Sequence, residues 1–148
     1  MKKYNFPLEK VLEYDTHLQN KETDNLNYIK NEYRLLEIKR SYLQENYEFS
    51  KNKYQEYCAD GITLQKAAVL RTFIGRQQQQ LLSLEAEMID KRKQIEQQIE
   101  RLLEVTKDKM TIEKLKASSI LEYDAMVRKK EEVMIEEFIA NKAAIVNT

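Results

Sequence analysis

Residues 57–63 read Tyr57-Cys58-Ala59-Asp60-Gly61-Ile62-Thr63, and they hold the only turn signal inside the chain. Glycine tolerates the left-handed backbone that ends helices, and Thr63 can cap whatever follows with its hydroxyl. On either side the sequence offers long stretches without a break. Upstream there is no Pro or Gly back to Pro7, which suits a first helical turn because its missing N–H would be unpaired there anyway. Downstream there is no Pro at all, and only Gly75 interrupts the helix formers, at about 1 kcal/mol relative to Ala. Gly75 is read as the mark of a bend or a close approach.

The apolar spacing says what such helices need. Steps of four and three from Ile29 reach Tyr33, Leu36, Arg40, Leu43, Tyr47, Ser50, Tyr54 and Tyr57, and seven of these nine are aliphatic or aromatic. That 3.5-residue period is the seam of a left-handed coiled coil. A second seam runs Ala67, Leu70, Ile74, Gln77, Leu81, Leu84, Met88, Lys91, Ile95, Gln98, Leu102, Val105, Lys109, Ile112, with ten of fourteen apolar. Beyond Ile112 its register is expected to drift to Leu115, Ile120, Tyr123, Val127, Met134 and Phe138. In the first helix Asp15, Gln19 and Glu22 weaken the seam, so loose pairing or local irregularity is expected there.

A helix over 7–58 would be about 78 Å long at ~1.5 Å per residue, too long for an ordinary globular core to support. The sequence therefore predicts one all-α unit over 1–148: a long antiparallel two-helix coiled-coil hairpin. Its parts are a helix over 7–58, a turn over 59–63, a longer helix over 64–141 and a frayed tail over 142–148. Counting outward from Gly61 sets residue 7 opposite about residue 115. The second helix then overhangs the first by some 25 residues, with Tyr123, Val127, Met134 and Phe138 as an apolar stripe that has no partner within the chain.

Composition bounds the function. The 25 Lys+Arg cancel the 25 Asp+Glu, and the balance holds in both halves: ten against eleven over 1–60, fifteen against fourteen over 62–148. A nucleic-acid binder needs a basic face, so none is expected as a partner. No apolar run approaches the ~20 residues that span a bilayer, and none follows the basic N-terminus, so direct membrane insertion is not expected. A single cysteine makes no intramolecular disulfide, in keeping with a reducing, cytoplasmic setting. Catalysis finds no constellation either. His17 has no companion ligand at helical spacing, and Cys58 has no base or basic neighbourhood. No glycine-rich loop cradles phosphate, and Glu131-Glu132 and Glu136-Glu137 read as a solvated face. The expectation is a non-enzyme without catalytic residues, metal or cofactor. The basic run Arg128-Lys129-Lys130 reads as solvated or paired with Glu131-Glu132. A sharper reading makes it a docking patch for an acidic partner.

Several motifs resemble the FliJ family, the coiled-coil protein of the flagellar type III export apparatus. Phe6-x-Leu8-x-x-Val11-Leu12 is similar to that family's N-terminal signature. Gly61-Ile62-Thr63 followed by Val69-Leu70-Arg71-Thr72-Phe73-Ile74 is similar to its glycine turn and downstream Phe segment. Glu113-Lys114-Leu115-Lys116 with Tyr123, and Lys130 to Glu137, resemble its later motifs. The four stand in order across nearly the whole chain. Leu70 stands where many members have an aromatic residue, and Gln77 where many have Leu.

The resemblance implies a stalk like that of rotary ATPases, whose terminal end enters a hexameric export ATPase and promotes its assembly and activity. It implies docking to the cytoplasmic part of an export-gate membrane protein, handling of export chaperones, and a place at the cytoplasmic face of the inner membrane. The ring-facing candidates are Phe6, Leu8, Val11, Leu12, Arg128, Lys129, Met134 and Phe138; Phe73 and Gln77 are the gate-docking candidates. Phe6 and Leu8 also read as a hydrophobic staple closing the first turn, and Phe73 as ordinary seam packing. The equivalent stalk of a virulence type III injectisome shares this architecture. A purely structural homodimeric coiled coil is the other alternative, but a parallel dimer would carry Asp60-Gly61 through its middle.

Overall fold

The computed structural model describes residues 3–147. It is an all-α hairpin of two helices, α1 (Glu9–Asp60) and the longer α2 (Leu64–Val146), packed against each other. The reversal rests on the glycine: Gly61 has a φ of +87°, the left-handed region that side chains with a Cβ avoid. Thr63 then caps α2. Its hydroxyl accepts from the Lys66 N–H at 3.3 Å, and its carbonyl accepts the first helical bond, from the Ala67 N–H at 3.0 Å.

The helix ends differ from the sequence reading by a few residues. Pro7 is not in α1. It occupies the second position of a turn closed by the Glu9 N–H donating to the Phe6 carbonyl at 3.2 Å, a place that suits its fixed φ. Helical bonding starts one residue later, with the Leu12 N–H on the Leu8 carbonyl at 3.0 Å. α1 runs on to Asp60, next to the glycine that stops it. α2 continues to Val146, so the expected frayed tail is helical over most of its length, because Ala143 and Ala144 are strong helix formers. Thr148 lies outside the described residues.

Contacts divide the chain into two units, Met1–Asn20 with Leu103–Thr148 and Lys21–Leu102. The division falls where the first seam weakens.

In the second unit the seam carries the packing. Leu26, Ala67, Leu81, Leu84 and Met88 are buried, Met88 at 2 % exposure, and Ile29, Tyr33, Leu36, Leu43, Tyr47 and Tyr54 are half-buried. Antiparallel register shows in the cross-helix polar pairs. Arg40 meets Glu85 at 3.5 Å, and seven residues earlier Tyr33 accepts from the Arg92 Nε at 2.8 Å, seven residues later on α2. Next to the Tyr33–Arg92 layer, Lys91 pairs with Glu32.

In the first unit the register is just as regular. The Gln19 side-chain amide donates to the Thr106 hydroxyl at 3.2 Å and accepts from Lys109 Nζ at 2.9 Å. Ten residues towards each terminus, Lys116 reaches Glu9 at 2.8 Å. Tyr4 stacks on Tyr123 with ring centroids 4.9 Å apart. Two expectations change here. The weak stretch of α1 is unbroken helix, and two of its three polar seam residues, Gln19 and Glu22, find polar partners on α2. Beyond Ile112 the register does not drift to Leu115 and Ile120, which are exposed. The same three-and-four stepping continues through half-buried Lys116, Ser119 and Tyr123.

Candidate functional site

The first surface belongs to the unit holding the chain termini. Phe6, which opens the turn ahead of α1, is buried at 9 % exposure, and Leu12 is half-buried. Both therefore serve packing, whereas Leu8 and Val11 are exposed. On α2, Tyr123 is covered by Tyr4, which removes it from the stripe without a partner. Pairing thus extends past residue 115 because the chain ahead of α1 also lies on α2.

Val127 is the last half-buried residue of α2. From Arg128 to Asn147 every described residue is exposed. Arg128 and Lys129 stand at the start of this stretch. Met134 and Phe138 follow one turn apart, 69 % and 67 % exposed, with Ile135, Ile139, Ile145 and Val146 also open. A helix with this much open apolar surface has a face ready for a partner.

The second surface belongs to the unit holding the turn. Phe73 is 52 % exposed and lines a groove of about 360 Å³ with Ala68, Val69, Thr72 and Arg76. Val69 also borders a groove of about 480 Å³ formed with Tyr57, Ile62, Gln65, Lys66 and Leu70. The two grooves share Val69, so Phe73 belongs to a continuous apolar surface beside the turn. Gln77, one turn on, does not join it. It is half-buried in the seam, and its Oε1 is buried with no donor among the described residues. Val69 and the very open Leu64 were not among the sequence candidates. The signal was there in the i, i+4 spacing of Val69 and Phe73, one position off the seam.

Elsewhere the chemistry is plain. His17 and Cys58 are both exposed. Among the described residues no helix is long and apolar enough to cross a membrane. Glu32 is the electrostatic focus. The Lys91 ammonium and then the Tyr28 hydroxyl hold its carboxyl below the usual range. Its hydrogen bond raises Lys91 in turn, and its hydrogen bond and then its charge raise Tyr28. These are structural contacts of the second unit.

Compared with protein-family models, curated proteins and solved structures, the chain matches none.

Proposed function

We propose that the chain is the non-enzymatic stalk of a flagellar type III export apparatus, which enters a hexameric export ATPase and promotes its assembly and activity. The observation that carries this reading is the final stretch of α2. It continues as helix past its pairing with the chain ahead of α1, and it bears Met134 and Phe138 on open apolar surface. A segment of this kind suits insertion among other subunits, where apolar side chains bury and the flanking Arg128 and Lys129 meet acidic groups. In the same reading Phe73 and its grooves dock the cytoplasmic part of the export-gate membrane protein, export chaperones are handled as further partners, and the chain works at the cytoplasmic face of the inner membrane. The motifs from Phe6 to Glu137 that resemble the FliJ family, together with the open apolar surfaces, are what support this reading.

The test is to mix the chain with the purified cognate export ATPase at near-physiological salt and follow co-sedimentation and ATP hydrolysis. Binding and a raised hydrolysis rate are expected. Met134→Glu with Phe138→Glu should remove both while leaving helicity unchanged, because both side chains are exposed. Absence of binding by the unaltered chain overturns the proposal.

A further inference from the structure

The outer face of α1 carries a second apolar series that α2 does not cover. Tyr28, Leu35, Tyr42 and Phe49 stand seven residues apart, with Ile38 beside them, and all five are between 59 % and 67 % exposed. A strict seven-residue repeat has the same period as the inner seam and runs parallel to it along α1, so these side chains form a single stripe. The stripe lies entirely in the unit Lys21–Leu102. At this exposure five such side chains offer on the order of 600 Å². The stems of Arg34, Lys39 and Glu48 on its flanks raise that towards the ~800 Å² per partner of a standard interface. Beside the stripe runs an open groove of about 800 Å³, bordered by Ser41, Glu45, Glu48, Phe49 and Asn52 of α1 and reaching Met88 of α2.

We infer that this stripe is the interface for a second copy of the chain, packed antiparallel about a twofold axis at Ser41. The flanking charges choose the orientation. In a parallel, in-register pair Glu45 would face Glu45 of the second copy within the seam, and Arg34 would lie beside Lys39. In the antiparallel arrangement Arg34 lies beside Glu48 of the second copy, and symmetry makes that favourable pair twice. Ile38 then packs on Tyr42 of the second copy, and Tyr28 of the second copy falls at the Phe49–Asn52 end of the groove. Lys39, on the opposite flank, extends its stem to solvent. The two hairpins meet through their first helices alone, so the surfaces around Met134 and Phe73 take no part, and the inference does not rest on the stalk reading.

Sedimentation equilibrium of the full chain over a roughly hundredfold concentration range tests it, because dimer formation follows mass action. The mass should rise from 17.7 kDa towards about 35 kDa, twice the chain. Leu35→Glu with Tyr42→Glu should hold it at 17.7 kDa with helicity unchanged. Arg34→Glu alone should weaken association by about a hundredfold, roughly tenfold for each of the two symmetry-related ion pairs it removes. Arg34→Glu with Glu48→Arg should restore it, since the pair is only reversed. A monomer at every concentration overturns the inference. So does a dimer that survives the Leu35/Tyr42 change, as a dimer joined through α2 or through exchanged helices would. A dimer indifferent to Arg34→Glu overturns the antiparallel register.

Discussion

The Gln98 side-chain amide of α2 donates to the Glu22 backbone carbonyl of α1 across 3.1 Å, and it also pairs with the Glu22 carboxylate. Gln98 is buried at a seam position between Ile95 and Leu102, where an apolar residue would be the simpler choice. The amide fixes which layer of α1 meets which layer of α2, as a single buried polar residue does in coiled coils. Gln98→Ala removes both hydrogen bonds and leaves a gap, so unfolding in urea should show a loss of about 1–3 kcal/mol. Gln94→Ala, on a half-exposed amide that bonds only its own helix at Asp90, should change little.

The Glu32–Lys91 pair gives the second unit a pH dependence. The Lys91 hydrogen bond, followed by that of Tyr28, places the folded Glu32 below its ordinary value of 4.5. A lowered carboxyl stabilises the fold above its unfolded pKa, and that contribution disappears as pH falls through the folded value. Lys91 is raised above 10.5, chiefly by the Glu32 hydrogen bond, so its part persists at neutral pH and is lost as pH rises through the folded value. Melting temperatures of the unaltered chain and Glu32→Gln should therefore differ at pH 7 and converge as the acid limb protonates Glu32. Curves that stay parallel down to pH 2 would contradict this.

What the sequence discloses depends on how local the cause is. The turn was readable from Gly61 and Thr63 because a left-handed residue and a cap act through their own backbone. The inner seam was readable too: all fourteen positions from Ala67 to Ile112 are buried or half-buried, including the polar Gln77, Lys91, Gln98 and Lys109. The continuation through Lys116 and Ser119 was harder to see. An apolar search follows Leu115 and Ile120, whereas the interface there is made by an ion pair to Glu9. The same search took Tyr123 for open surface, because the residues ahead of a helix carry no period that would place Tyr4 on it. The outer stripe of α1 does repeat every seven residues, but the stronger inner seam masks it. Which surface of Phe73 is open depends on packing beside the turn, beyond the reach of any spacing rule.

Gln77 is a polar residue of the inner seam. Its Oε1 is buried without a donor among the described residues. Leaving a buried acceptor unpaired costs about 1–3 kcal/mol. Gln77→Leu removes that group and keeps the volume, so it should stabilise the hairpin by roughly 1 kcal/mol in denaturant unfolding. Gln77→Ala should give no such gain, because the lost packing offsets the lost acceptor. If Leu destabilises instead, the amide has a partner that the hairpin alone does not provide.

The two glycines should respond to alanine in opposite directions. At Gly61 a Cβ would have open space around it, yet the φ of +87° strains any side chain, so Gly61→Ala should cost about 1–2 kcal/mol. Gly75 was a candidate for a bend or a close approach, but a Cβ there would meet nothing within 4 Å. Its backbone is ordinary helix within α2. Gly75→Ala then keeps every contact and removes conformational freedom from the unfolded chain, so it should stabilise by about 0.5–1 kcal/mol. Urea unfolding of the two variants gives both signs from one assay. Under the proposed role, a Gly75→Ala chain that is more stable yet fails to bind the cytoplasmic part of the export-gate protein would show that the glycine, two residues after Phe73, serves a bound partner and not the free hairpin.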